Sequence, residues 1–139
     1  MAVPRSKRKE SSMQYIDTWR RACAEIFRFS NRLPKRYAFR MANPLCQYAY
    51  EGLYHLKAAN GTYVKDGATF DTRRSHLLAA KADIDHVEAL LDVLSEVQQP
   101  SGCVAAIAEA IDKERGLISG VMRRDSQAFA KARQERGAN

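Results

Sequence analysis

The sequence predicts an all-α protein, an antiparallel up-down four-helix bundle. Along four separate stretches, apolar residues recur every three or four positions, which is the spacing of one face of an α-helix. No stretch alternates apolar and polar residues as a half-buried β-strand would. Short segments containing proline, glycine or asparagine separate the stretches, and short connections favour antiparallel neighbours. The length, 139 residues, is that of a single domain.

The first helix is predicted over residues 12–31. Residues 1–11 are basic and show no periodicity, so we expect a flexible arm there. Leu33-Pro34 closes the helix because a proline disfavours helical geometry in the residue before it. The apolar face of this helix consists of Ile16, Trp19, Cys23 and Ile26.

The second helix is predicted over residues 36–60, and Asn60-Gly61 provides a plausible end. Pro44 lies inside this range, and a proline removes one backbone donor and clashes with the preceding turn. Two alternatives follow. Either the helix is kinked at Pro44, or a short turn precedes a helix that starts at this residue.

The third helix is predicted over residues 70–98, with Thr69 or Asp71 as its N-cap. It carries the clearest periodic signal, a seam made of Leu77, Ala80, Ile84, Val87, Leu91 and Leu94. The fourth helix is predicted over 102–132, capped by Ser101, and Glu114 interrupts its apolar seam. Residues 133–139 are predicted to form a disordered tail.

The sequence lacks the motifs of several classes of enzyme and metal site. There is no nucleophile elbow, no phosphate-binding glycine loop and no zinc-protease motif, so we predict neither an enzyme nor a cofactor. The three histidines, His55, His76 and His86, lack the carboxylate pattern of a bundle metal site, so surface polar pairs explain them better. Cys23, Cys46 and Cys103 are odd in number and widely spaced, which is typical of reduced core thiols.

A cytoplasmic location follows as an expectation from the cysteines and from two further observations. No run reaches the roughly 18 apolar residues that a membrane span needs. The first residues are basic but have no apolar segment after them, so they do not form a secretory signal.

The formal net charge of +7 is unevenly distributed. Residues 1–40 carry eleven basic and three acidic side chains, residues 41–114 carry six and eleven, and residues 115–139 carry six and two. Positive charge therefore collects at the first helix and at the end of the fourth, which favours a polyanionic partner such as RNA or DNA. The candidate binding residues are Arg20, Arg21, Arg28, Arg32, Lys35, Arg36, Arg40, Arg73, Arg74, Arg123 and Arg124.

The alternatives to phosphate binding are an ordinary solvated helix face and a surface that meets an acidic protein. Arg21, Arg28 and Arg32 are spaced by seven and four residues and so share one helix face. Arg73-Arg74 stand near a helix start, where the helix dipole disfavours cations. A further concentration of tyrosines favours either an interface or the border of the core, and comprises Tyr37, Tyr48, Tyr50, Tyr54 and Tyr63.

Several short motifs lie within the predicted helices or at their ends. They are Arg32-Leu33-Pro34-Lys35, Lys57-Ala58-Ala59-Asn60, Leu77-Leu78 with Leu90-Leu91, and Leu117-Ile118-Ser119-Gly120-Val121-Met122. In this order, over about residues 12–125, they resemble the Avd-like family of bacterial and phage four-helix bundles. That family includes the accessory variability determinant of diversity-generating retroelements and the intervening-sequence proteins of ribosomal RNA genes. The Ala59-Asn60 ending looks more like the Avd branch.

The resemblance implies a homopentameric barrel with a positively charged surface. It implies association with the reverse transcriptase of a retroelement and with its template-repeat RNA during mutagenic cDNA synthesis, in which the polymerase chemistry belongs to the partner. The matching basic positions on this chain are Arg20, Arg21, Arg28, Arg32, Lys35, Arg36 and Arg40. Other expectations are a different nucleic-acid-binding bundle, of intervening-sequence or mobilisation type, and a protein–protein adaptor with a basic face.

Overall fold

The computed structural model describes residues 5–98 and 102–137, with side chains from residue 13 onward. Four α-helices account for most of this part of the chain, and it contains no strand. They are α1 (Arg5–Arg32), α2 (Asn43–Asn60), α3 (Gly67–Val97) and α4 (Gly102–Gly137). The predicted all-α class is confirmed, and no helix in the described part is long and apolar enough to cross a bilayer.

The helices form a closed ring of antiparallel neighbours. α1 packs against α2 and α4, and α3 packs against the same two helices, so α1 and α3 are diagonally opposite. The antiparallel sense of α1 and α2 is visible in two contacts, Tyr15 with Asn60 and Ser30 with Cys46. Arg73 with Asp125 and Arg115 with Glu88 show the same sense for α3 and α4.

The core lies along the axis of the ring and is made of the predicted apolar stripes. All six residues of the predicted α3 seam are buried. Trp19 of α1 is fully buried, and its indole Nε1 donates to the carbonyl of Ala49 on α2 at 2.9 Å. That bond satisfies the one polar atom of the ring, as a buried tryptophan requires. Gly52 lies in the same contact, where an added Cβ would come within 3.2 Å of the indole nitrogen.

α1 and α4 extend at least five residues beyond their predicted bounds, and α3 begins at Gly67 rather than at residue 70. α1 begins at Arg5 rather than at residue 12, within the segment expected to be a flexible arm; residues 1–4 lie outside the described residues. Lysine, arginine and glutamate are good helix formers, and lengthening an existing helix costs little.

At the other end, α4 continues through the predicted tail to Gly137, and residues 138–139 lie outside the description. Just before this extension, the ring of Phe129 stacks on that of Phe70 near the start of α3, with centroids 4.5 Å apart. Periodicity did not reveal this contact, since the apolar seam of α4 stops at Met122.

Pro44 produces a structure between the two predicted alternatives. A 3₁₀ turn at Lys35–Tyr37 and a π-helical turn at Ala38–Ala42 precede α2, and Pro44 stands in the first turn of α2. The amide of Asn43 donates to the carbonyl of Ala38, five residues earlier. The wide turn lets the chain enter α2 without the amide that proline lacks.

The N-cap of α3 is Asp66, so the prediction of Thr69 or Asp71 was wrong. The Asp66 carboxylate accepts from the Thr69 amide at 2.9 Å, and the Thr69 hydroxyl lies 3.0 Å from the Asp66 amide. This is a reciprocal capping box, in which Thr69 is the third helical residue. Its hydrogen bonds lower the pKa of the Asp66 carboxyl. Ser101, the predicted cap of α4, lies outside the described residues.

Candidate nucleic-acid interface

The outward face of α1 carries four of the predicted arginines, Arg20, Arg21, Arg28 and Arg32, and all four are exposed. The opposite face is anchored by Trp19 and Ile26, which are fully buried. Because the core fixes the rotation of the helix, the arginines cannot turn inward. The 3.6-residue period of the sequence thus determines which side chains reach solvent.

Two acidic residues of α1 contact these arginines. Arg20 lies 3.1 Å from Asp17 and Arg28 lies 3.5 Å from Glu25, each one turn earlier in the same helix. The side chain of Arg28 is 54% exposed and that of Glu25 is 53% exposed. Exposed pairs of this kind contribute about 0–1 kcal/mol and open readily to another anion.

The connection between α1 and α2 extends the positive charge. Lys35, Arg36 and Arg40 are exposed, and none lies within 4 Å of a carboxylate in the described residues. The guanidinium of Arg36 stands over the ring of Tyr37, 4.8 Å from its centroid. The seven basic residues Arg20, Arg21, Arg28, Arg32, Lys35, Arg36 and Arg40 are called the α1 cationic surface below.

α4 adds to this surface along its contact with α1. Arg21 and Arg28 line a groove between the two helices together with Lys113 of α4, a residue that the sequence did not single out. Glu25 and Glu109 line the same groove. Arg123 and Arg124 are exposed beside a second groove between α1 and α4. Arg32 donates to the sulfur of Cys103 at 3.3 Å, which ties the end of α1 to the start of α4.

Arg73 and Arg74 have intramolecular partners. Arg73 donates to the Asp125 carboxylate at 2.6 Å and to the carbonyl of Ala59 at 2.9 Å, and it joins α3 to α2 and α4. Arg74 lies 3.4 Å from the hydroxyl of Ser126. Both are half-buried, so we leave them out of the interface proposed below. These contacts explain why two cations stand near the start of α3, where the helix dipole disfavours them.

The predicted tyrosines divide into two groups. Tyr50, Tyr54 and Tyr63 are exposed, whereas Tyr37 and Tyr48 are half-buried and pack on the core. Tyr37 and Tyr48 therefore border the core, and an interface role for the other three stays a prediction.

Acidic residues are concentrated on the far side of the ring. Arg115 of α4 forms two parallel bonds with Glu88 of α3, at 2.9 and 2.7 Å, and a third bond of 2.7 Å with Asp85. Bidentate pairs of this type are among the stronger ion pairs. They raise the pKa of Arg115 and lower that of Glu88. This network uses Arg115 of α4 to neutralise acidic residues of α3, and it involves no residue of the α1 cationic surface.

Glu114 is the one fully buried charged residue in the described part of the chain. It occupies the seam of α4, and neither carboxylate oxygen has a hydrogen-bond partner among the described residues. Burial raises the pKa of Glu114 to about 8, so the group is largely a neutral acid at pH 7. The interruption of the seam that the sequence showed is therefore a real feature of the core.

The histidines and cysteines of the described residues make other contacts. Nδ1 of His55 lies 3.2 Å from Nδ1 of His76, so one ring donates and the other accepts. His86 stacks on Tyr48 with centroids 3.5 Å apart, rather than pairing with Asp83. In the two described ranges, no group of three or more potential ligands could hold a metal. Burial raises the pKa of Cys23 to about 12, which removes it as a nucleophile.

Comparison of this chain with known proteins gives no match. No family model, no curated protein and no solved structure matches this chain at a significant level. The resemblance to the Avd-like family accordingly stays a prediction from short motifs.

Proposed function

We propose that this chain binds nucleic acid through the α1 cationic surface and acts as a non-catalytic accessory subunit. In the fuller form of the proposal, it scaffolds the reverse transcriptase and template RNA of a diversity-generating retroelement in the cytoplasm. The single observation that carries the proposal is the exposure of seven basic side chains, of which two, Arg20 and Arg28, have a carboxylate within 4 Å among the described residues.

Arginine makes up most of this surface, and its planar fork grips a phosphate with two hydrogen bonds. Six phosphate contacts would give a slope of roughly −4 to −5 for the logarithm of affinity against the logarithm of salt concentration. Contacts of this kind hold RNA in place without reading its sequence. Such contacts suit a scaffold that positions RNA against a partner enzyme.

The retroelement part of the proposal is supported by the motif resemblance alone, as is the pentamer. An oligomer would repeat the cationic surface and raise its effective affinity for one long RNA. Copurification of a reverse transcriptase and RNA with the chain from its native host would support this part. Recovery of neither would contradict it without touching RNA binding itself.

A protein–protein adaptor is a second candidate, and α3 supplies the observation in its favour. Leu78, Val93 and Val97 are 48%, 56% and 57% exposed on this helix. Exposed apolar side chains that share a helix face can serve as a protein contact. In an accessory subunit the two roles are compatible, since α1 would hold RNA while α3 meets a protein.

The decisive test of nucleic-acid binding is the combined variant Arg21→Gln, Arg28→Gln and Arg32→Gln. We expect its affinity for a 20-nucleotide RNA to fall at least about tenfold in a filter assay, because three phosphate contacts are lost. The matched control, Lys65→Gln, Lys131→Gln and Arg133→Gln, removes the same charge from exposed positions elsewhere. Equal losses in the two variants would show that net charge, and not the α1 surface, binds RNA.

A further inference from the structure

Two phenylalanine side chains are exposed within the α1 cationic surface. Phe39 is 82% exposed and lies between Arg36 and Arg40, and Phe27 is 51% exposed and directly precedes Arg28. Phenylalanine is among the residue types that are most often buried. Phosphate contacts alone do not need these rings, so their position calls for a ligand with an aromatic or apolar part.

The local backbone holds Phe39 outward. Tyr37 is half-buried against the core and Met41 is buried, so residues on either side of Phe39 anchor the 3₁₀ and π-helical turns. The wide turn that admits Pro44 thus presents the ring to solvent, at a position between Arg36 and Arg40 in the sequence. Its exposure is a consequence of the fold and not of a loose chain end.

Phe27 is held in the same way by α1. Its neighbour Ile26 is fully buried, which fixes the rotation of the helix. On the neighbouring helix α2, the ring of Tyr50 also reaches solvent and is 44% exposed.

We infer that this surface binds single-stranded nucleic acid, with unpaired bases stacked on Phe39 and Phe27 and the backbone phosphates held by the adjacent arginines. The inference rests on the proposed function and specifies its ligand. In a duplex the faces of the bases are covered by their neighbours, whereas unpaired bases offer faces to aromatic side chains. Every base has such a face, so this mode tolerates any sequence.

The charge around the rings favours nucleic acid over a protein ligand. Arg28, Arg36 and Arg40 adjoin the two phenylalanines in the sequence, and among the described residues only Arg28 has a carboxylate within 4 Å, that of Glu25. A ligand that offers alternating negative groups and flat apolar faces matches this arrangement. Single strands have that composition along their whole length.

The test compares one 20-nucleotide single-stranded RNA without self-complementarity with the duplex that it forms with its complement, by fluorescence anisotropy. We expect Phe39→Leu to weaken single-strand binding about tenfold and duplex binding less than twofold. Phe39→Tyr should keep wild-type affinity because it retains the ring. Leu78→Ala, an exposed apolar truncation on α3, is the matched control and should change neither affinity.

Salt dependence separates stacking from charge. Phe39→Leu should leave the salt slope unchanged, since it removes no phosphate contact. Unaltered single-strand affinity in Phe39→Leu, with a loss in the triple arginine-to-glutamine variant, would overturn stacking and leave the proposed function standing. Failure of the wild-type chain to bind either RNA would overturn both. The ring is exposed, so thermal unfolding of the variants should match that of the wild type.

Discussion

α1 and α3 are diagonally opposite helices that share one construction and differ in charge. Each buries an apolar stripe in the same core and exposes its other side. From residue 13 onward α1 exposes four arginines beside two carboxylates, whereas α3 exposes Asp71, Asp85, Asp92 and Glu96. The net charge of +7 is thus unevenly divided between two sides of opposite sign. A polyanion is attracted to one side of the molecule rather than to the whole of it.

The two surfaces also differ in how their charges are paired. The ion pairs of α1 lie within one helix, and both of their arginines are about half exposed, so the pairs compete poorly with a phosphate. Those of α3 join it to Arg115 of α4 through a bidentate contact. Paired charge on α3 serves the fold, while the charge on α1 remains available to a ligand.

The largest expected effect concerns Glu114, which interacts electrostatically with Tyr15 and Cys23 of α1 from inside the core. Its pKa is raised from 4.5 to about 8. The neutral acid is thus the folded form, and the stability it confers is fully present below about pH 4.5 and lost as pH rises through about 8. At about 1.4 kcal/mol for each pKa unit, the loss is on the order of 5 kcal/mol.

Thermal unfolding of wild type and Glu114→Gln at pH 5, 7 and 9 measures this effect. The wild-type melting temperature should fall by about 10 °C more than that of the variant between pH 5 and 9. Glu114→Leu, which completes the apolar seam, is expected to melt above both at pH 9. Parallel pH profiles for wild type and Glu114→Gln would show that the carboxyl group ionises normally.

The smallest expected effect concerns the exposed acidic residues of α3. Changing Asp71, Asp92 and Glu96 to lysine raises the net charge by six, but away from the α1 cationic surface. We expect RNA affinity to stay within about threefold at 0.15 M salt, where charges more than about 8 Å apart are largely screened. A gain of tenfold or more would mean that total charge matters and its position does not.

Periodicity was sufficient to predict much of this molecule. The six α3 seam residues are all buried, and the α1 arginines are exposed as their seven-and-four spacing predicts. Periodicity could not predict contacts between residues that are distant in the sequence, because no local pattern shows that Arg73 contacts Asp125 or that Phe129 contacts Phe70. Periodicity could not predict the exposure of Phe39 either, since that exposure depends on the π-helical turn that precedes Pro44.

The most direct test of the central claim is the salt dependence of RNA affinity in wild type and in the triple arginine-to-glutamine variant of α1. The wild-type log–log slope should be about −4 to −5, and the variant slope should be smaller in magnitude by about 2 to 3, because three phosphate contacts are gone. A wild-type slope near zero, or equal slopes in the two proteins, would contradict binding through the α1 cationic surface.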